Sequence, residues 1–284
     1  MIRKGSPYLC AFPQGMKIRF KDAFGNSLLV KRLLIFVFGL VAYYRFNIAN
    51  KTKVSGARVL KGLEKKNVLF VSNHQTYFAD VTGMYQVFCC AKWGIFDRIN
   101  FPFFVLNPKL NIYFIAARET MQSGILPKLF ASVGSVSIKR TWREAGKVID
   151  RGVDPRDINK IYKALSNGWV ITFPQGTTTP FVKGRKGTAH IIKEVKPIVI
   201  PVVIDGFRRA FDKKGLFLKK RDVDLSIRFK EPLQIDYDQS SGLILQQIMD
   251  SIEQSDRYNT IKRLIDQEQK ANAKEENNVK QELR

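Results

Sequence analysis

Only two histidines stand in the 284 residues, and one of them, His74, closes a short apolar run, Val68–Val71, through Ser72 and Asn73. Five residues, Gln75 to Ala79, separate it from Asp80. A histidine near neutral pKa can take a proton from an alcohol, and a carboxylate on its other ring nitrogen fixes the tautomer and stabilises the imidazolium. That is the base-and-orienter half of a serine-protease triad, with a substrate supplying the hydroxyl. Strand ends that lead into loops are where α/β folds keep such groups. A structural histidine at a helix start fits the same spacing, so the pair alone leaves both readings open.

Other residues add chemistry. Arg140 ends the run Gly134–Lys139, and a guanidinium at a strand end offers paired donors that match phosphate or carboxylate. Gly176, in Phe173-Pro174-Gln175-Gly176-Thr177, lets backbone approach a ligand closely, and the N–H groups of such a turn can bind an anion; a plain strand-to-loop turn looks the same. Pro201 inside Ile198–Val202 is awkward for a central ladder and predicts an edge, a bulge or a bend in a pocket wall. The second histidine, His190, lies in a stretch that reads as an ordinary helix. The run Phe101–Leu106 is bulky and apolar, suited to lining a channel, touching a bilayer or packing in the core.

Taken in order, these segments resemble the four blocks of the glycerolipid acyltransferase family, which includes the lysophosphatidate acyltransferases. Asn73-His74 with Asp80 resembles the first block, and Gly134–Arg140 the second. Phe173–Thr177, followed by Phe181–Gly184, resembles the third, and Ile198–Val202 the fourth. The resemblance implies transfer of a fatty acyl group from a thioester of coenzyme A or acyl carrier protein to a hydroxyl of a single-chain lipid, foremost 1-acylglycerol-3-phosphate in phospholipid biosynthesis. It implies His74 and Asp80 as catalytic residues, and Arg140, Lys139, Gln175, Gly176, Thr177 and Lys183 as acceptor-binding ones. No resident cofactor, metal or covalent acyl-enzyme is implied.

Two departures stand out. The family places four residues between His and Asp; the fifth here would turn Asp80 by about 100° in regular helix, so an altered helix start must bring it back. The third block usually reads Phe-Pro-Glu-Gly-Thr-Arg, whereas this chain has Gln175 and Thr178. Loss of the arginine weakens the case for a phosphate acceptor unless Lys183, Arg185 or Lys186 compensates, and it keeps open O-acylation of a monoacylated amino-acid lipid. A non-catalytic basic protein binding lipid or nucleic acid is the alternative from another class, although no nucleic-acid module is recognisable.

The formal net charge of +23 calls for an anionic partner. Residues 1–66 carry 14 of the bases and two acids, and they surround Leu33–Tyr44, an uncharged run bracketed by Lys31, Arg32 and Arg45. About twelve residues are too few to span a bilayer, which takes roughly twenty. The pattern predicts a segment lying at an anionic membrane surface, with the flanking cations on lipid phosphates; a buried core helix is the alternative. Cys10, Cys89 and Cys90 have no metal-ligand spacing and fit a reduced compartment; no secretory signal is visible, and Met16 is an alternative start. The expected place is the cytoplasmic face of a membrane, peripheral or monotopic.

Short apolar runs alternating with helical periods predict an α/β fold, a central mixed sheet covered by helices, with an N-terminal membrane-associating helical segment. Strands are expected at Val68–Val71, Ile112–Ala116, Val136–Lys139, Trp169–Phe173, Ile198–Ile204 and Leu225–Phe229. The clearest helix begins at Asp154-Pro155 and ends before Gly168; another carries Leu245, Ile248, Met249 and Ile252. The expected organisation is a basic segment over 1–66, a catalytic domain over 67–240, and a helical region with a polar tail over 241–284.

Overall fold

The structure, a computed structural model, describes residues 20–139, 143–144, 147–148 and 154–260. Cys10, Met16 and the polar tail lie outside the described residues, as does Arg140. Strands β1 (Lys51–Ser55), β2 (Val68–Ser72), β3 (Ile112–Ala117) and β4 (Ser135–Ile138) precede a two-residue-per-strand hairpin, β5 (Arg143–Glu144) and β6 (Lys147–Val148). β7 (Trp169–Thr172), β8 (Ile198–Asp205) and β9 (Asp224–Phe229) follow. Seven of them form one mixed sheet in the order β1-β9-β8-β2-β7-β3-β4. The five strands from β8 to β4 are mutually parallel, so their carboxyl ends share one edge.

Each expected strand is present to within a residue or so at either end. β2 is buried along its whole length, and successive side chains go to opposite faces. Val68 and Phe70 enter one core with α1 (Leu28–Tyr43) and α2 (Ala79–Lys92). Leu69 and Val71 enter the other with α5 (Pro155–Leu165), α6 (Lys186–Val195) and α8 (Ser241–Ser251). Asp154 caps α5, its carboxylate accepting from the Arg156 N–H at 2.9 Å. Two short helices, α3 (Arg118–Gln122) and α4 (Ile125–Ser132), lie between β3 and β4, and α7 (Phe207–Ala210) follows β8.

Several expectations need correcting. The sheet begins before residue 67: β1 pairs in parallel with β9 and is its edge strand, and only Val54 of its five residues is buried, so no apolar pattern announces it. Pro201 is interior, paired in register with Val71, and not at an edge. Its carbonyl accepts from Lys230 N at 2.9 Å, just past Val202↔Phe229, the last pair of the antiparallel β8–β9 ladder. A strand residue points its N–H and C=O toward the same neighbour, so the missing N–H falls where that ladder stops, and the ladder to β2 loses no donor.

The first helix differs most. Ser27 caps it, and it starts at Leu28, so Lys31 and Arg32 lie within it. Lys31, Ile35, Gly39 and Ala42 form its buried stripe, and Gly39 is required because a Cβ there would meet Val105 Cγ1 at 2.6 Å. Lys31 is fully buried, 3.4 Å from the Ile112 carbonyl and 3.9 Å from Asp22, so it is not on lipid phosphates. Arg45 is likewise engaged, donating to the Gly215 carbonyl at 3.0 Å with its guanidinium over the Phe211 ring. The outer face is apolar instead, with Leu29, Leu33, Val37, Leu40 and Val41 exposed. No helix among the described residues is long and apolar enough to cross a membrane.

Burial lowers the Lys31 ammonium from its ordinary 10.5 to about 8, against the pull of Asp22. The folded chain releases this proton before the unfolded chain does, so the stability of the protein rises as pH passes from about 8 to 10.5. Lys31→Met removes the burden of a buried charge. It is expected to stabilise the fold at pH 7 by up to about 3 kcal/mol, less the lost Asp22 contact. Urea denaturation at a series of pH values should show that advantage shrinking above pH 8; parallel curves for the two proteins would refute this.

Candidate active site

The loops after β2, β7 and β8 meet at the carboxyl edge of the sheet. Past Ser72 the β2–β8 ladder ends, and the Asn73 side chain continues it: its Nδ2 donates to the Ile204 carbonyl and its Oδ1 accepts from Ile204 N, both at 2.8 Å. This fixes the backbone from which His74 projects.

His74 Nδ1 lies 2.9 Å from Asp80 Oδ2. A carboxylate only accepts, so Nδ1 carries the hydrogen and Nε2 is left as the proton acceptor. Asp80 is wholly buried and also accepts from Gln75 N at 2.6 Å, Thr76 N at 3.1 Å and Thr76 Oγ1 at 2.8 Å. The residue extra to the family pattern is absorbed here. Residues 75–78 form a bend, and α2 begins only at Ala79. The N–H groups of Gln75 and Thr76 go to the carboxylate, while those of Tyr77 and Phe78 go to the carbonyls of Lys213 and Lys214 at 3.2 and 2.9 Å. All four backbone donors are paired without helix, so Asp80 reaches His74 despite the added residue.

The third motif supplies the other wall. Phe173 stacks on the His74 ring with centroids 3.9 Å apart and an interplanar angle of 18°, covering one face of the imidazole. Gly176 has φ +64° and closes a turn by donating its N–H to the Phe173 carbonyl at 2.9 Å. Thr177 Oγ1 accepts from Thr179 N at 3.3 Å. Gln175 turns inward: it is buried, and its amide donates to the Val182 carbonyl at 3.0 Å and to Gln254 Oε1 at 3.3 Å, so it shapes the loop from within. Lys183 is exposed on the same loop.

Arg140 lies outside the described residues, but the strand end leading to it is tethered. Lys139, whose side chain is exposed, donates its N–H to Asp157 Oδ2 at 2.8 Å. Against the cost of burial, Lys160 and that N–H hold the Asp157 carboxyl below the usual range. His190 is exposed on α6 with Ser241 Oγ 3.3 Å from its Nδ1, away from these loops. Cys89 and Cys90 are buried, and burial pushes both thiols up to about 12, so they are poor nucleophiles.

Several positioning groups escape sequence reasoning. Gln75 bridges the first motif to the end of β8, donating to the Ile204 carbonyl at 3.1 Å and accepting from Arg208 N at 3.0 Å. Gly215, with φ +77°, brings the Lys213–Gly215 loop against the bend, where a Cβ would lie 2.5 Å from Ala79 N and 2.8 Å from Thr76 Oγ1. Its glycine and positive charge read as an ordinary turn, and no local pattern links it to His74.

A family model described as Acyltransferase matches residues 45–205. No curated protein matches the chain. Among solved structures, the chain is similar to the crystal structure of the 1-acyl-sn-glycerophosphate (LPA) acyltransferase PlsC from Thermotoga maritima. The identity is 17%, the match covers 82% of this chain and 79% of that one, and the TM-score is 0.49.

Two glycines separate backbone strain from contact. Gly62 shares a positive φ of +78° with Gly215 but faces open space. Gly62→Ala should cost about 1 kcal/mol, and Gly215→Ala about 1–3 kcal/mol more, because the added methyl pushes on the bend that holds Asp80. Urea denaturation measures both; equal losses would show that the contact is unimportant.

Proposed function

The chain belongs to the acyltransferase family, and from that premise we propose that it transfers a fatty acyl group from an acyl thioester to the hydroxyl of a single-chain lipid, with His74 as general base. The observation that carries this reading is the His74–Asp80 pair at 2.9 Å, which reserves Nε2 for the acceptor's proton. Nε2 removes that proton as the oxygen attacks the thioester carbonyl carbon. The oxyanion needs N–H donors other than those of residues 75–78, which are already paired in forming the bend. Collapse breaks the C–S bond, the thiolate takes the proton back from the imidazolium, and ester and thiol leave. A thiolate is already a good leaving group, so base, orientation and oxyanion stabilisation suffice.

The proposed acceptor is 1-acylglycerol-3-phosphate, used in phospholipid biosynthesis, and the donor a thioester on coenzyme A or acyl carrier protein. Arg140, Lys139, Gly176, Thr177 and Lys183 are proposed to surround the headgroup, with Gln175 supporting the loop. A small apolar cavity of about 50 Å³ lined by Ile35, Phe38, Gly39, Tyr85, Phe104 and Phe130 lies beside α2, the helix that follows His74, and is proposed as the place from which an acyl-chain path would widen. Thr178 at the arginine position of the third block favours a second reading, a monoacylated amino-acid lipid as acceptor.

The chain is further proposed to sit on an anionic membrane surface. Its support is the exposed apolar face of α1 together with Phe103 and Leu106, each 58% exposed, and Ile125 at 82%. Several large exposed apolar side chains on one helix mark an interaction surface rather than single scattered exposures.

Purified protein incubated with labelled acyl donor and a panel of single-chain lipids tests the reaction. His74→Ala should lower transfer by roughly 10²–10⁴-fold with folding intact, and Asp80→Asn should lower it by a similar order because a neutral amide cannot stabilise the imidazolium. Wild-type rates in the His74 variant would end the general-base proposal. In liposome flotation, Leu33→Glu combined with Leu40→Glu should release the protein from anionic vesicles, since both side chains are exposed; unchanged flotation would remove α1 from the membrane contact.

A further inference from the structure

Where the third block of the family carries an arginine, Thr178 stands in this chain, yet a guanidinium from elsewhere in the fold contacts the backbone of that same residue. Arg208 Nη2 donates to the Thr178 carbonyl. The placement is built. Gly206 ends β8 with φ +87°, in a turn where a Cβ would meet the Asp224 carbonyl oxygen at 2.4 Å. Phe207 then drops into the core beside Phe46 and Phe211, its ring centroid 5.3 and 5.9 Å from theirs. Arg208 follows, its N–H held at 3.0 Å by Oε1 of Gln75, the neighbour of His74. One residue is therefore fixed by its backbone to the first motif and by its side chain to the third.

Among the described residues its charge is uncompensated. Arg208 is exposed, and among the described residues no carboxylate pairs with it. Asp205 on the same turn is occupied by Arg209 at 3.2 Å and by Gln75 Nε2 at 3.4 Å. Asp212 accepts the N–H groups of Leu216 and Phe217 through Oδ1. A guanidinium has five N–H donors, and the neutral Thr178 carbonyl engages one of the groups that carry them.

We infer that Arg208 binds the anionic headgroup of the lipid acceptor, phosphate monoester or carboxylate, in the place of the arginine missing at position 178. The inference rests on the acyl-transfer reading above. It makes the end of β8 a part of the acceptor site.

Equilibrium binding of dodecyl phosphate, lauric acid and monododecanoylglycerol below their micelle concentrations tests this without turnover, using the full chain. Arg208→Gln keeps a donor for the Thr178 carbonyl but loses the charge, whereas Arg208→Lys keeps the charge. Arg208→Gln should weaken the preferred anion by roughly tenfold or more and leave monododecanoylglycerol unchanged, with Arg208→Lys close to wild type. Preference for dodecyl phosphate over laurate assigns a phosphate headgroup, and the reverse a carboxylate; either upholds the inference. Anion binding by Arg208→Gln within twofold of wild type overturns it, as does equal weakening of the neutral probe, which would mark Arg208 as a structural tie. Kinetics keeps the two readings apart. Charge-dependent binding without acyl transfer to any lipid would sink the reaction and leave the anion site standing. Transfer with an unchanged KM in Arg208→Gln would do the opposite.

Discussion

A single buried carboxylate organises the site. Asp80 gathers the imidazole of His74, the N–H groups of Gln75 and Thr76 and the Thr76 hydroxyl, all within 3.1 Å. A buried charge without such partners would cost several kcal/mol, so the bend before α2 is held in the one shape that supplies them. The His74 tautomer, the direction of Nε2 and the start of α2 all follow from that requirement.

The rest of the fold supports this cluster from a distance. Parallel pairing puts the carboxyl ends of β2, β7 and β8 on one edge, so three motifs far apart in sequence become neighbours. Asn73 locks the first to the backbone of β8, Phe173 brings the third onto the imidazole face, and the Lys213–Gly215 loop satisfies the half of the bend that Asp80 does not. Arg45, at the end of the first helix, holds that loop through the Gly215 carbonyl. The apolar outer helix and the bend that holds Asp80 are thus linked by one guanidinium.

The first helix reverses the usual arrangement of a surface helix, placing a lysine inside and leucines and valines outside. Its inner stripe is committed to the sheet and to Val105, and the cations that frame it in the sequence largely serve the protein interior. Attraction to a membrane would then come from the apolar face, with charge supplied by other parts of a strongly basic chain.

The sequence by itself determined most of the strands and singled out the candidate site residues. The apolar runs at Val68–Val71 and Ile198–Ile204, short and rich in β-branched residues, read as buried strands, and His74 and Asp80 stand out as candidates by their types and order. It did not reveal β1, which as an edge strand buries one side chain, or the roles of Lys31 and Arg45, whose burial depends on what packs against them. Whether Asp80 met His74 was decided only in three dimensions. The added residue breaks helical spacing, and the bend that restores the contact is paid for by carbonyls at Lys213 and Lys214, more than a hundred residues away. The position of Arg208 was decided the same way, by a glycine turn, a buried phenylalanine and a glutamine from another loop. Local patterns encode periodicity and chemistry; contacts between loops at a sheet edge depend on strand order, which no local pattern carries.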